Sequence, residues 1–323
     1  MIILMHARTT ATRVSHDDRL RMSASPPSGW HQPVMVRESL DLLAPASGHT
    51  VVDATVGTGG HSLSILPRLM PSGRLIAIDC DAHALAYAQQ RLSEFTPQLH
   101  LIQENFRHLP DILLDLGIAK VHGLIADLGM SSLQVDAAER GFSFLNEGPL
   151  DMRMDPRQGR TAASLAQTLS EPELVRVLQT YGEERWARRI ARRIVESRKA
   201  QPIRTTTQLS RVVAEAVPAR VAHGRLHPAT RTFQALRIVV NDELGSLQAL
   251  LDCLPEILLP GGRAVILSFH SLEDRLVKRA FQSGAREGRY RLLVKKLLRP
   301  SEDEASQNPR ARSAKLRAVE RLA

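Results

Sequence analysis

Two cysteines in 323 residues, Cys80 and Cys253, are too few for a disulfide framework or a four-cysteine zinc site, so no structural metal is implied. Long apolar runs are missing too: no stretch approaches the roughly 18–20 consecutive apolar residues of a membrane span. The apolar start, Met1–Met5, is shorter than the roughly 7–15 residues of a signal-peptide core. The expectation is a cytoplasmic protein without a membrane partner. Acidic residues are in deficit, 34 against 43 Lys and Arg, for a net charge of +9. A basic balance favours a polyanionic partner. Two segments hold the excess. Residues 286–323 carry 11 Lys/Arg and 5 Asp/Glu, and residues 182–199 carry 7 and 3. Either segment can equally be a solvated surface.

Residues 1–29 are polar and aperiodic, with Ser-Pro-Pro-Ser at Ser25–Ser28. They read as a disordered leader, and Met22 is an alternative start. From Trp30 onward strands and helices alternate. Strands are expected at Thr50–Thr55, Arg74–Asp79, Leu99–Ile102 and Val121–Asp127, with helices from His61, over Ala82–Glu94 and over Pro110–Leu116. This alternation argues for an α/β fold with a parallel, doubly wound sheet. It stops after Asp127. Residues 138–230 read as a helical insert, with Trp186, Ile190 and Ile194 forming one buried stripe. Residues 30–137 and 231–323 read as a Rossmann-like domain that the insert interrupts. Its second part has a long helix over Thr232–Leu254, a turn at Pro260–Gly262 and a strand at Ala264–Phe269. A helix capped by Ser271, with Asp274 completing the box, follows. Tyr290–Leu298 and Ala314–Val319 suit a terminal antiparallel hairpin.

The loop after the first strand reads Asp53-Ala-Thr-Val-Gly-Thr-Gly-Gly60. Glycines let the backbone approach a ligand, and the following helix adds N–H donors. Asp79 ends the next strand, where a carboxylate accepts hydrogen bonds from ribose hydroxyls. That pairing suits a dinucleotide or S-adenosylmethionine. Ser62 stands where the dinucleotide fingerprint wants its third glycine, and Asp53 precedes the loop as in methyltransferases. An NAD-dependent dehydrogenase is therefore disfavoured. Phe106, beside Asn105, suits an adenine ring, and Asp127 ends the fourth strand, where such sheets present their ligands.

Further segments complete a pattern. They are His31–Glu38, Asp127–Gln134, Arg140–Phe144, Gly148–Asp155, Tyr181–Glu184, His227–Arg237, Ser268–Asp274 and Asn308–Arg317. With the Asp53–Ser62 loop, and in this order, they resemble the ribosomal RNA small subunit methyltransferase H family from Trp30 to the C-terminus. The resemblance implies a class I methyltransferase sheet and S-adenosylmethionine as cofactor. It implies contacts to that cofactor from Gly59, Gly60, His61, Asp79, Phe106, Asp127 and Gln134. It also implies a substrate: N4 of the cytosine conventionally numbered 1402, in the decoding region of 16S rRNA within the small ribosomal subunit. Thr58 departs from the family loop, where some relatives carry a larger residue.

The chemistry leaves choices open. Methylation at cytosine C5 needs a cysteine nucleophile, and neither cysteine lies in a loop after the fourth strand. The exocyclic amine needs instead an acceptor that holds its N–H bonds and aims its nitrogen. Asp127 and His270 are the catalytic candidates, although Asp127 suits the cofactor as well. Phe142 and Phe144 either stack on an extruded base or pack the insert onto the sheet. Arg237 and Asn241 share a helix face that either meets substrate or forms an internal polar seam. Arg185 and Arg189 on the insert, with Arg310 and Arg312 in the basic C-terminal segment, are the candidates for RNA contact.

Overall fold

The computed structural model describes residues 33–157, 159–218 and 227–323. The expected leader and the opening residues of the His31–Glu38 motif lie outside these. Four parallel strands form first: β1 (Thr50–Asp53), β2 (Arg74–Asp79), β3 (Leu99–Gln103) and β4 (Val121–Asp127). After the insert come β5 (Leu258–Ser268), β6 (Tyr290–Leu292) and β7 (Lys315–Arg321). They make one seven-stranded sheet in the order β3-β2-β1-β4-β5-β7-β6. Only β7 runs antiparallel to β5, and β6 pairs antiparallel with β7, which is the expected terminal hairpin.

Alternation along each strand divides the core. Val52, Ile76, Ile78, Leu124, Ala264 and Ile266 face one apolar cluster, and Val51, Leu75, Ala77, Ile125, Val265 and Leu267 face the other. Period-two side chains buried on both faces are what a parallel sheet between helical layers requires. The first layer includes α4 (Leu109–Asp115), α11 (Glu243–Ile257) and α12 (Ser271–Arg286). The second includes α1 (Val36–Leu43), α2 (Gly60–Leu69) and α3 (Ala82–Arg91). Between β4 and α11 lie α5 (Ser132–Asp136), α6 (Ala162–Thr168), α7 (Glu171–Gly182), α8 (Ala187–Ala200), α9 (Thr206–Ala216) and α10 (Thr230–Asn241). The short α13 (Glu302–Gln307) precedes β7. A third apolar cluster, running from Phe142 to Leu236, is built largely from α6–α10, with Phe142, Leu150 and Met152 ahead of them. Ile190 and Ile194 are fully buried in it, while Trp186 is only partly buried, at the α8 N-cap.

Three local readings need correction. The helix expected over Thr232–Leu254 is two helices, α10 and α11, broken at Asp242 (φ 47°, ψ 44°). Asp tolerates this left-handed conformation better than most residues, and Arg107 holds its carboxylate at 2.8 Å. Pro260–Gly262 is no turn between elements but an irregularity inside β5. Leu258 pairs with Val121 and Arg263 with Gly123, so the extra residues bulge out around Gly261 (φ 79°). Finally, His270 and not Ser271 caps α12. Its ring accepts the Glu273 N–H at 3.3 Å, and Glu273 reaches back to the His270 N–H at 3.2 Å.

Candidate active site

Strands β1, β2 and β4 lie side by side and end in Asp53, Asp79 and Asp127. Three carboxylates thus meet at the carboxyl edge of the sheet, where the strand order reverses and doubly wound sheets bind ligands. Each has its own task. Asp53 is buried and ties down the glycine loop: its oxygens accept from the Ser62 hydroxyl at 2.6 Å and the Thr55 N–H at 3.2 Å. Ser62, which at sequence level only breaks the dinucleotide fingerprint, is the donor that fixes Asp53. Gly57 and Gly59 adopt φ of 51° and 83°, a region L side chains disfavour.

Asp79 accepts the Gly57 N–H and the Asp81 N–H, each at 2.9 Å. Burial pushes its carboxyl up to about 6, against the pull of those two donors. Asp127 gives its backbone N–H to Thr55 Oγ1 at 2.6 Å, and its Oδ2 stands 3.5 Å from His61 Nε2. Its Oδ1 is buried without a hydrogen-bond partner, as are both His61 ring nitrogens. Burial works to lower the His61 pKa, but the contact with Asp127 and the charges of Asp127, Asp53 and Glu304 outweigh it and leave it raised. A cavity of about 520 Å³ opens here. Gly57, Gly60, His61, Asp79, Phe106 and Asp127 line its sheet side.

The other candidates take different positions. Gln134 borders the cavity and is also tied to the protein. Its Oε1 accepts the Ser131 N–H at 3.1 Å, and its Nε2 donates to the buried Asp81 at 2.9 Å. Arg140 meets the same Asp81 oxygen at 2.7 Å and donates to the carbonyls of Arg153 and Met154. Asp81 therefore joins the segment after β4 to the loop after β2, a role sequence reasoning missed. An Asp directly before an alanine-rich helix is an N-cap signal, and Asp81 does cap α3, accepting the His83 N–H at 3.0 Å.

On the far wall, Arg237 holds Glu243 through two bonds of 2.7 and 2.8 Å. Asn241 donates to the carbonyls of Met152 and Arg237 and accepts the Met154 N–H. These bonds form an internal polar seam, and both side chains also line the cavity. His270 Nε2 lies 3.2 Å from Glu273 Oε1 and makes no hydrogen bond. Glu243, His270 and Glu273 offer atoms within 4.8 Å of one another. Arg237 already occupies both Glu243 oxygens, however, and one Glu273 oxygen takes the Phe269 and His270 N–H groups. Phe142 is buried beneath the Arg140 guanidinium, and Phe144 contacts His227 at 4.7 Å and Phe233 at 4.9 Å. Both phenylalanines line the cavity. Arg310 bonds Ser132 and, at 2.9 Å, Asp136, while Arg312 is exposed and donates to the Ala305 carbonyl. Arg185 and Arg189 are exposed, with guanidinium carbons 5.4 and 5.5 Å from the Trp186 ring centroid.

Residues 28–322 match the MraW methylase family. The chain belongs to that family. A ribosomal RNA small subunit methyltransferase H from a Geobacter species is 46% identical over 307 residues, which are 90% of this chain and 98% of the relative. One of the same name from Acidothermus cellulolyticus is 48% identical over 317 residues, 93% and 96% of the two chains. Among solved structures, TrmN from Thermus thermophilus is a distant likeness. It has a TM-score of 0.42 and 14% identity, over 89% of this chain and 48% of that one.

The family makes the chain a methyltransferase, and its cofactor is S-adenosylmethionine. The sheet order given above is the class I methyltransferase arrangement that the resemblance implied. The residues present fit that cofactor: the Asp79 carboxylate and the Phe106 ring, an acceptor of the kind ribose hydroxyls use and a ring of the kind adenine packs on, line the cavity beside the glycine loop. Asp79→Ala is expected to weaken S-adenosylmethionine binding by about 1.5–3 kcal/mol, the worth of hydrogen bonds to a charged group. Hydroxyl donors favour the ionised carboxylate. With the Asp79 carboxyl near 6, wild-type affinity should be full above that pH and fall below it. Calorimetry across pH 5–8 checks both, and unchanged affinity in the variant refutes the ribose role.

Proposed function

We propose that this methylase transfers a methyl group to N4 of a cytosine in 16S rRNA, at the position numbered 1402 in the decoding region, and that it acts within the small ribosomal subunit. The carrying observation is Asp127 Oδ1, a buried acceptor without a partner, at the strand end between the cofactor loop and the insert wall. The relatives named for small-subunit ribosomal RNA supply the substrate class. When bound, the cofactor supplies an electrophilic methyl group on its sulfonium. An exocyclic amine conjugated with its ring is a poor nucleophile until its N–H bonds are held. Asp127 Oδ1 accepts one such bond, turns the nitrogen toward the methyl, and takes the proton that the nitrogen must shed. His61, 3.5 Å behind the other oxygen, balances the carboxylate. Phe144 and Phe233 form the wall against which the base lies.

The C5 route lacks its nucleophile. Cys80 lines the cavity, but burial pushes its thiol far above the physiological range. Cys253 is pushed up to about 11 by burial and donates to the Leu250 carbonyl within α11. The insert, with exposed Arg185 just before α8 and exposed Arg188, Arg189 and Arg192 on it, is the proposed RNA-recognition unit. Exposed Arg312 adds a second basic surface. Tritiated methyl transfer to small subunits, followed by nucleoside analysis against N4, C5 and N3 standards, tests the reading. N4-methylcytidine is expected. A C5 product, or label in protein with unmodified RNA, overturns it.

A further inference from the structure

A base methylated inside a cavity must first leave its stack, and the vacated space has to be filled or the RNA closes again. We infer that Leu145 is the prong that enters this space. The inference rests on the RNA-base reading above and concerns a residue outside the cavity.

Isolated exposed leucines are ordinary, so the argument lies in the place and the mounting. Leu145 is 84% exposed, the most exposed large apolar side chain among the described residues. It directly follows Phe144, which lines the cavity. The loop holding it is pinned on both sides. Before it, Phe142 is buried and Phe144 is wedged between His227 and Phe233. After it, the Asn146 carbonyl accepts the Thr206 hydroxyl at 3.0 Å, and that oxygen accepts the Gly148 N–H at 3.2 Å. Gly148 packs so closely on Ala138 that a Cβ there would fall 1.8 Å from the Ala138 carbonyl oxygen. The Leu145 N–H donates within the loop, to Ser143 Oγ at 3.2 Å. Asn146 and Glu147 beside it are exposed as well, and Leu145 is the apolar group of the three. Apolar side chains mounted this way part stacked bases, and Leu is among the residues that do so. With Phe144 as the wall on which the withdrawn base lies, Leu145 is the neighbouring group that replaces it.

The test uses the full chain and a synthetic small-subunit RNA hairpin with 2-aminopurine in place of the target cytosine. Wild-type protein with S-adenosylhomocysteine should raise the fluorescence as the base unstacks. Leu145→Ala should give less than about a third of that rise, and methyl transfer to the cytosine hairpin in a single turnover should slow about tenfold or more. Leu145→Phe should restore both. Leu114→Ala, at the next most exposed leucine, on α4 (76%), should change neither, and S-adenosylmethionine affinity should be constant throughout. Full fluorescence and rate in Leu145→Ala overturn the prong, as does wild-type methylation without any fluorescence rise. If the wild type methylates small subunits at a protein or at no base, the substrate reading fails first and takes the prong with it.

Discussion

Asp127→Asn should slow methyl transfer by about 10²–10³-fold while the protein stays folded, the range seen when one oriented group stops stabilising a transition state. The substitution keeps size and shape. It removes the charge that the developing positive nitrogen needs and the site that takes its proton. The backbone N–H of residue 127 still reaches Thr55 Oγ1, so the strand end should hold its position. Two measurements separate the roles open to this carboxylate. If Asp127 holds the amine, single-turnover rate falls and S-adenosylmethionine affinity changes less than about threefold. If it serves the cofactor, affinity falls in parallel with rate. His61 gives a second handle. Its raised pKa depends on Asp127, after burial has pulled the other way, so the Asn variant should lower it. Imidazole proton shifts followed by NMR across pH 5–8 should show that fall. An unchanged rate in Asp127→Asn would remove the residue from the chemistry altogether.

The cofactor half of this site is legible in the chain because each part is local. A β-branched run, a glycine loop and a helix start sit within a dozen residues around Asp53–Ser62, and Asp79 and Asp127 close strands of the same kind. Period-two burial alone orients them. The parts that escaped are bonds between distant segments. Asp81 gathers Gln134 and Arg140 from 53 and 59 residues away, and no local pattern marks that convergence. The bond to Asp81 holds Gln134 at the cavity edge. The break at Asp242 carries no glycine or proline, and its only local sign is the Asn-Asp pair. At Pro260–Gly262 the sequence reads as a turn because the residues are those of a turn. Sheet pairing across to Val121 and Gly123 is what keeps them in the strand. His270 escaped because histidine is an uncommon cap, while Ser271 next to it is a preferred one.

The buried seam on the far wall gives the largest expected effect on stability. Arg237→Ala should cost about 3–5 kcal/mol, because it strands buried carboxylates without their cation. Arg237 and Glu243 are nearly enclosed, with side chains 10% and 11% exposed, and two short bonds join them. Glu273 lies close by, and burial would raise its pKa. His270, Arg237 and the Phe269 N–H instead hold it below the ordinary carboxylate range. A depressed carboxyl stabilises the fold above its unfolded pKa and loses that contribution as pH falls. Wild-type protein should therefore weaken on acidification. In the Ala variant Glu273 has lost one of the cations that hold it down, so its folded pKa rises, and protonation relieves the strain. Its deficit should shrink as pH falls from 7 toward 5. The double change Arg237→Met with Glu243→Leu removes both charges and should recover most of the loss, since the pair itself contributes little net stability once desolvation is counted. Urea unfolding at several pH values checks all three. A fully stable Arg237→Ala that has lost methyl transfer would instead mean that this guanidinium meets the substrate.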